Sequence, residues 1–299
     1  MIYVIQTALE LGFMYALVAM ALFLSYRILD IADLTTDSGF VLGAAVSVTV
    51  AAAGHPFLAI LAAMAAGSCA GFVTAFLQTR LGVPSILAGI VTNTGLYTVN
   101  LMVMGWSSNV SLLKQSTLFT MMKETGIGGA WYKLILAAGI TILVGLFLVW
   151  FLGTRIGLSI RATGDNADMV RASSVNPVFT ITIGLCISNA LTALSGAVVG
   201  QYQKSADING GTGIACLIIG ETLIGRRSMG RNVIAAIVGS IVYRFIYAVI
   251  LKTGIVPIEC LKLVTAIVVA LAIAGPALKE GAAFQKRKMS ASASRKGGN

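Results

Sequence analysis

Residues 134–153 read LILAAGITILVGLFLVWFLG, and residues 154–177 read TRIGLSIRATGDNADMVRASSVNP. The first stretch is twenty residues without a charge. At 1.5 Å per residue it forms a helix of about 30 Å, the thickness of the hydrocarbon core of a bilayer. The second stretch turns polar at once, with three arginines, two aspartates and two asparagines before its closing proline. A membrane span that empties into a polar, internally capped connection sets the fold class, and the rest of the chain repeats the spans.

The whole chain has 299 residues, 57% hydrophobic and 11% charged, with a mean hydropathy of +0.91. A soluble domain is roughly 25% charged. Such sparse charge cannot cover a 31.1 kDa globule in water, which excludes a soluble enzyme and a disordered polymer. The apolar stretches are continuous rather than alternating, so a transmembrane β-barrel is excluded and no strand is expected. The expectation is an all-α, polytopic membrane protein with eight to ten transmembrane helices, some short or broken. Spans are placed at 4–26, 39–53, 57–78, 84–104, 131–153, 177–200, 212–225, 232–252 and 259–276. The segments 39–53 and 212–225 are short for a full crossing and read either as tilted half-helices or as spans that borrow from their polar neighbours. Residues 1–278 form one transmembrane domain and 279–299 a basic tail.

The net charge is +10 and the pI about 9.7. Six basic residues, from Lys279 to Lys296, stand against Glu280 in the tail. In a membrane protein this marks a cytoplasmic end in contact with lipid headgroups rather than a nucleic-acid site. With the tail inside, segments 27–38, 79–83, 154–176 and 226–231 are also inside, and together they hold 14 of the 21 basic residues. Nine spans then put the N-terminus outside. No basic residue precedes Arg27, so the first apolar stretch reads as a span rather than a cleaved signal. Cys69, Cys186, Cys216 and Cys260 are isolated and read as small buried apolar groups; His55, in Gly-His-Pro, reads as a turn residue. No Walker A loop, GxSxG, HExxH or paired catalytic carboxylates occur, so no metal, cofactor or enzyme activity is expected of this chain.

Polar groups inside spans mark candidate pathway or gate positions. Glu10 and Arg244 are charged residues within spans: either they line or brace a pore, pairing with each other, or they snorkel to the headgroups. Asp33 and Asp37 precede an apolar helix whose N-terminal dipole favours anions; capping accounts for one, and the other is free to order a gate. Asn93 and Asn100 share a helix face at seven-residue spacing, and Asn189 lies on another span. Pore lining and helix–helix hydrogen bonding both suit them. Glu221, beside Arg226 and Arg227, reads as a surface ion pair or a gate. Gly67/Gly71 and Gly196/Gly200 are GxxxG pairs suited to close packing. A faint inverted repeat links YRILDIADLTTDSGFVLGAAV from Tyr26 with YQKSADINGGTGIACLII from Tyr202. The outer connection 105–130 has room for a short surface helix.

The connection 154–176 carries the most information. Gly164 is placed to end one short helix, Asp165 or Asn166 to cap a second, Asp168 to oppose its dipole, and Asn176-Pro177 to start the next span. A plain linker needs no such capping. RIGLSIRATGDNADMVRASSVNP resembles the cytoplasmic coupling region of the permease subunits of bacterial ABC importers for branched-chain amino acids and ribose-type sugars. RILDIADLTTDSGFVLGAAV is similar to that family's polar stretch before an apolar helix, and its D-L-T-T-D is closest to a subgroup paired with an amino-acid-binding lipoprotein. The resemblance covers most of residues 1–276. It implies half of a homodimeric pore in the bacterial inner membrane, with ATPase subunits beneath that bind the ATP and an extracytoplasmic substrate-binding protein above. It further implies that Arg155, Gly157, Arg161, Ala162, Gly164, Asp165, Asn166, Met169 and Arg171 couple the pore to the ATPase, and that the cargo is a small solute, an amino acid by the subgroup. An ion-coupled secondary transporter is the alternative that requires no coupling element.

Overall fold

The structure, a computed structural model, describes residues 2–112, 115–126, 129–208 and 229–253, with single positions at 263, 267 and 270. Helix α1 (Ile2–Leu22) continues into a π-helical stretch, Phe23–Ile28, before the chain breaks. Then come α2 (Thr36–Ala52), α3 (Pro56–Thr79) and α4 (Ser85–Val103). The outer connection holds a strand β1 (Asn109–Ser111) and α5 (Leu118–Glu124). Helix α6 (Tyr132–Gly153) leads to the inner pair α7 (Arg155–Asp165) and α8 (Ala167–Ala172). Helix α9 (Pro177–Gln203), strand β2 (Ser205–Asp207) and α10 (Met229–Thr253) complete the described elements.

Among the described residues six helices are long and apolar enough to cross a membrane, and α2 is a shorter apolar helix. The spans expected at 212–225 and 259–276, with Glu221, Cys216, Cys260, the basic tail and most of the second repeat stretch, lie outside the described residues. The absence of strands expected from the sequence is corrected. β1 and β2 form an antiparallel pair with Val110 opposite Ala206, tying the outer connection to the end of α9. Helix α5 sits against the same end: Leu118 N–H donates to Gln201 Oε1 at 3.0 Å, and the Phe119 ring meets Tyr202 edge-on.

Helix α9 is the centre of the molecule and is buried continuously from Ser188 to Gln201. Lipid offers no hydrophobic gain for bringing helices together, so association relies on close packing and hydrogen bonds. α9 supplies both. A Cβ on Gly196 would collide with the Phe40 carbonyl oxygen of α2, and one on Gly67 of α3 would stand 2.5 Å from the Asn189 carbonyl oxygen. Ser188, Ser195 and Ser47 hydroxyls donate to the carbonyls of Ala21, Met14 and Ala197 at 2.8, 2.8 and 3.3 Å. Both GxxxG pairs are thus packing surfaces. Gly196→Val should push α2 off α9, costing about 1–3 kcal/mol, whereas Gly139→Ala, at a site with open space around it, should be neutral or mildly stabilising. Equal thermal stabilities of the two variants in detergent would refute this packing.

Candidate functional site

The most unusual backbone lies between α1 and α2. Leu29 and Ile31 N–H groups donate to the Leu24 and Ser25 carbonyls, and Asp30 takes a left-handed conformation, φ 55°. The chain then runs without helix to Thr35. Its depth is fixed by two spanning helices. Asn189, mid-way along the 27-residue α9, donates from Nδ2 to Asp33 Oδ2 at 2.7 Å. Asn93, mid-way along α4, accepts at Oδ1 from Ser38 N–H at 3.2 Å, and its carbonyl accepts from Ser38 Oγ. Helix α2 therefore begins near the bilayer midplane. Irregular backbone at that depth is tolerated only where protein buries it or water reaches it.

Asp33 is buried and meets the first condition. Its Oδ1 accepts from the Thr35 N–H at 2.9 Å and from the Thr35 hydroxyl, which also lies 3.1 Å from Asn189 Oδ1. Asp33 thereby anchors the start of α2 to α9 from two residues ahead of the N-cap, Thr35. Asn100 Nδ2 donates to the Ser38 carbonyl at 3.2 Å. Asn93, Asn100 and Asn189 thus bind helix to helix around the start of α2. Gly39 is the close-approach residue there, with Asn189 Oδ1 3.2 Å from where a Cβ would stand.

Asp37 differs. It stands in the first turn of α2, exposed, and makes no hydrogen bond or ion pair among the described residues. A carboxylate facing lipid at this depth costs about 2.5–3.5 kcal/mol on insertion scales. This face of the protein therefore meets water, a partner or a cargo rather than acyl chains. Thr94, on α4 beside Asn93, is also exposed.

Glu10 and Arg244 are both buried, and they do not pair. Glu10 Oε1 accepts from Gln6 Nε2 at 2.9 Å and Oε2 from the Tyr202 hydroxyl at 2.8 Å; Lys133 Nζ stands 4.9 Å over the same Tyr202 ring. Arg244 lies over the ring of Tyr15 at 3.4 Å, with Tyr247 and Tyr243 at 5.6 and 5.9 Å. Nor does Arg244 snorkel outward. α10 runs antiparallel to α1, and a Cβ on Gly12 would meet Ile241. Arg244 is thus rooted near the level of residue 9, and its guanidinium reaches inward to the ring of Tyr15. Side chains lean toward the helix N-terminus, which for α10 is the inner end.

A second polar site projects from the inner face. Thr154 Oγ1 accepts from Gly157 N–H and starts α7. Asn166 Oδ1 accepts from the N–H groups of Asp168 and Met169 and starts α8, and Asn176 Oδ1 accepts from Val178 N–H and starts α9 behind Pro177. Gly164 does not end α7, which continues to Asp165. Its Cβ-free surface instead admits the Ile28 carbonyl, so α7 packs on the broken end of α1. Gly157 likewise packs on Leu152. Outward from these contacts, Ile156, Leu158 and Met169 are exposed together with Arg155, Asp165, Asn166 and Arg171, while Arg161 and Ala162 are half-buried. None of the three arginines forms an ion pair among the described residues.

A family described as branched-chain amino acid transport system, permease component, matches residues 4–273. The chain belongs to this family. It is 32% identical over 260 residues to the tyrosine transport system permease protein of Clostridioides difficile, covering 85% of each chain. To an uncharacterized protein of Rickettsia prowazekii it is 34% identical over 279 residues, 90% of this chain and 96% of that one. It is also 29% identical over 194 residues to the autoinducer 2 import system permease protein LsrC of Salmonella typhimurium, 61% of this chain and 52% of the relative. No solved structure matches. The protein is therefore a multi-pass permease of the bacterial inner membrane within an ABC-type transport system, a transport family rather than an enzyme class, and that membership implies ATPase and substrate-binding partners.

The sequence reading of this permease missed several partners of the polar residues it singled out. Tyr15, Tyr202, Thr35 and Gln201 were not singled out, although an isolated Gln near the end of an apolar helix is a signal of the same kind as Asn189. Gln201 Nε2 donates to Ser47 Oγ and to the Pro56 carbonyl, both at 3.0 Å. Cys69, expected inside, is exposed on α3 and borders an apolar cleft of about 630 Å³ between α2, α3 and α4.

Proposed function

We propose that this chain forms half of a homodimeric pore and moves a small amino acid inward, driven by ATP hydrolysis in a partner ATPase docked on α7 and α8. The carrying observation is the similarity, over 85% of both chains, to a tyrosine transport permease. The inner helix pair supports the coupling role: it is rigidly capped at each start, seated on α1 and α6 through Gly164 and Gly157, and presents apolar side chains outward. A push on α7 therefore reaches the broken segment that holds the start of α2 at the midplane. Two discrete packings of that segment would serve as outward- and inward-open states. Residues 279–299 are read as the basic cytoplasmic tail of this permease.

The test is reconstitution in vesicles with the cognate ATPase and binding protein, followed by competition among amino acids, sugars and nucleosides. Uptake of an amino acid is expected to persist when the proton gradient is collapsed with ATP maintained, and to stop on ATP depletion. Competition by sugars or nucleosides alone would overturn the cargo. Dependence on the proton gradient alone would overturn the ATP-driven mechanism in favour of an ion-coupled transporter.

A further inference from the structure

We propose that the wide turn ending α1 stores one residue that the broken segment exchanges with the helix during transport, and that Gly89 and Gly164 are positioning residues that hold it wound in this state; this rests on the coupling role of α7 and α8 above. The stretch Phe23–Ile28 is π-helical. Its closing bond runs from the Leu29 N–H to the carbonyl of Leu24, five residues back, at 3.1 Å. A π turn holds one residue more than the α turn it replaces, and such turns gather at functional sites. Asp30 follows at φ 55°. That conformation is costly for an L side chain, and such strain persists only where the surroundings enforce it, as in switch regions. At its start the turn is prepared for a change of register. The Ala21 carbonyl accepts from the Ser25 and Ser188 hydroxyls at 3.4 and 2.8 Å, so a shifted ladder does not orphan it in the membrane.

Three helices enforce the strained state, each through a glycine. A Cβ on Gly164 of α7 would collide with the Ile28 carbonyl oxygen, and one on Gly89 of α4 would stand 2.9 Å from the Leu34 nitrogen. One on Gly184 of α9 would collide with Leu29 Cδ1. Ile28 and Leu34 are met at the backbone, which cannot turn aside, whereas the tip of Leu29 can rotate. Asp33 is itself pinned to Asn189, so a residue released from the turn is taken up in 29–32. Rewinding Phe23–Ile28 as α-helix lengthens that link by one residue, at most about 3.5 Å, and turns the end of α1 by about 100°. Helix α7 rests on that end at Ile28. A push on α7 thus has a discrete second packing to reach, without drawing Asp33 out of its buried contact. Asp30→Gly removes the strain of the π-wound state alone and should therefore trap it.

The experiment uses the permease–ATPase–binding-protein complex in vesicles, with Cys69, Cys186, Cys216 and Cys260 replaced by alanine. Spin labels are placed by Tyr26→Cys paired with Phe72→Cys on α3 or Trp150→Cys on α6, all three positions being exposed. Doubly labelled permease is diluted with unlabelled permease, and label distances are read without nucleotide and with ATP trapped by orthovanadate. On trapping, the label at Tyr26 is expected to move by about 5 Å, seen in at least one pair. Asp30→Gly is expected to raise the melting temperature, yet to shrink the shifted population about fivefold and slow ATP hydrolysis by the complex in proportion. A merely structural role for Asp30 would not join higher stability to slower turnover. Gly89→Ala and Gly164→Ala are expected to enlarge the shifted population without nucleotide, and Gly184→Ala to leave it unchanged. Should the first two fail to fold, wild type and Asp30→Gly decide. Unchanged distances on trapping in a complex that hydrolyses ATP, or an Asp30→Gly complex as fast as wild type, overturns the exchange and leaves the coupling role standing. Normal ATPase binding and hydrolysis in Met169→Asp overturns the coupling role on which it rests, whatever the label distances.

Discussion

Met169→Asp should abolish ATP-driven uptake while leaving the permease folded. Met169 is 60% exposed on α8, and its α8 neighbour Val170 is the buried contact that holds this helix down. The substitution therefore removes nothing from the interior. At a docked surface the effect is different. Losing an apolar anchor there costs at least about 2 kcal/mol, roughly thirtyfold in affinity, and Asp adds the desolvation of an unpaired carboxylate. Arg161→Glu, half-buried on α7 near the seat on α1, should act in the same direction. The checks are co-purification with the ATPase and uptake in vesicles, with thermal stability as the control. Wild-type values for both variants in both assays would remove α7 and α8 from the coupling role.

Helices and caps were legible because they are local. Seven of the expected spans fall on described helices, since twenty apolar residues state a span wherever they stand. The caps at Asn166 and Asn176 were legible for the same reason: the donor groups they serve lie two or three residues away. The shortness of 39–53 left a half-helix and a span completed by polar neighbours both open, and did not state the depth at which the helix starts. That is set by Asn93 and Asn189, 55 and 156 residues from the groups they hold. Gly164 was misread for a related cause. Glycine suits a helix end, yet here it makes room for a carbonyl 136 residues earlier in the chain. The opposite signs of Glu10 and Arg244 invited a pairing, but Glu10 is met by the Tyr202 hydroxyl and Arg244 lies over the Tyr15 ring, and tyrosines carry no charge to announce them. A three-residue strand pair across the outer connection carries too little pattern to be seen at all.

Asn189→Leu should cause the largest loss of stability of any single change at the midplane. Leucine keeps the branching of asparagine with bulkier methyl groups, and the backbone contact to Gly67 is unchanged, so the packing cost is confined to the side facing Gly39. What changes is the donor to Asp33 Oδ2, and with it the acceptor near the Thr35 hydroxyl. Breaking a buried charged contact from one side costs about 3–5 kcal/mol because the remaining charge stays buried. In lipid, water cannot flow in to answer it without opening the contact between α2 and α9. The expected result is a large fall in melting temperature and in monodisperse yield from the membrane, with α2 released from α9. Adding Asp33→Asn should recover most of the loss, because the neutral amide still accepts from the Thr35 N–H but leaves no buried carboxylate. Asp37→Asn, on the exposed side of the same helix start, should leave the melting temperature unchanged. A double variant no more stable than Asn189→Leu alone would show that the loss comes from packing rather than from Asp33. An unchanged melting temperature in Asn189→Leu would mean that the carboxylate is answered by water, and that the break between α1 and α2 opens directly onto the aqueous pathway.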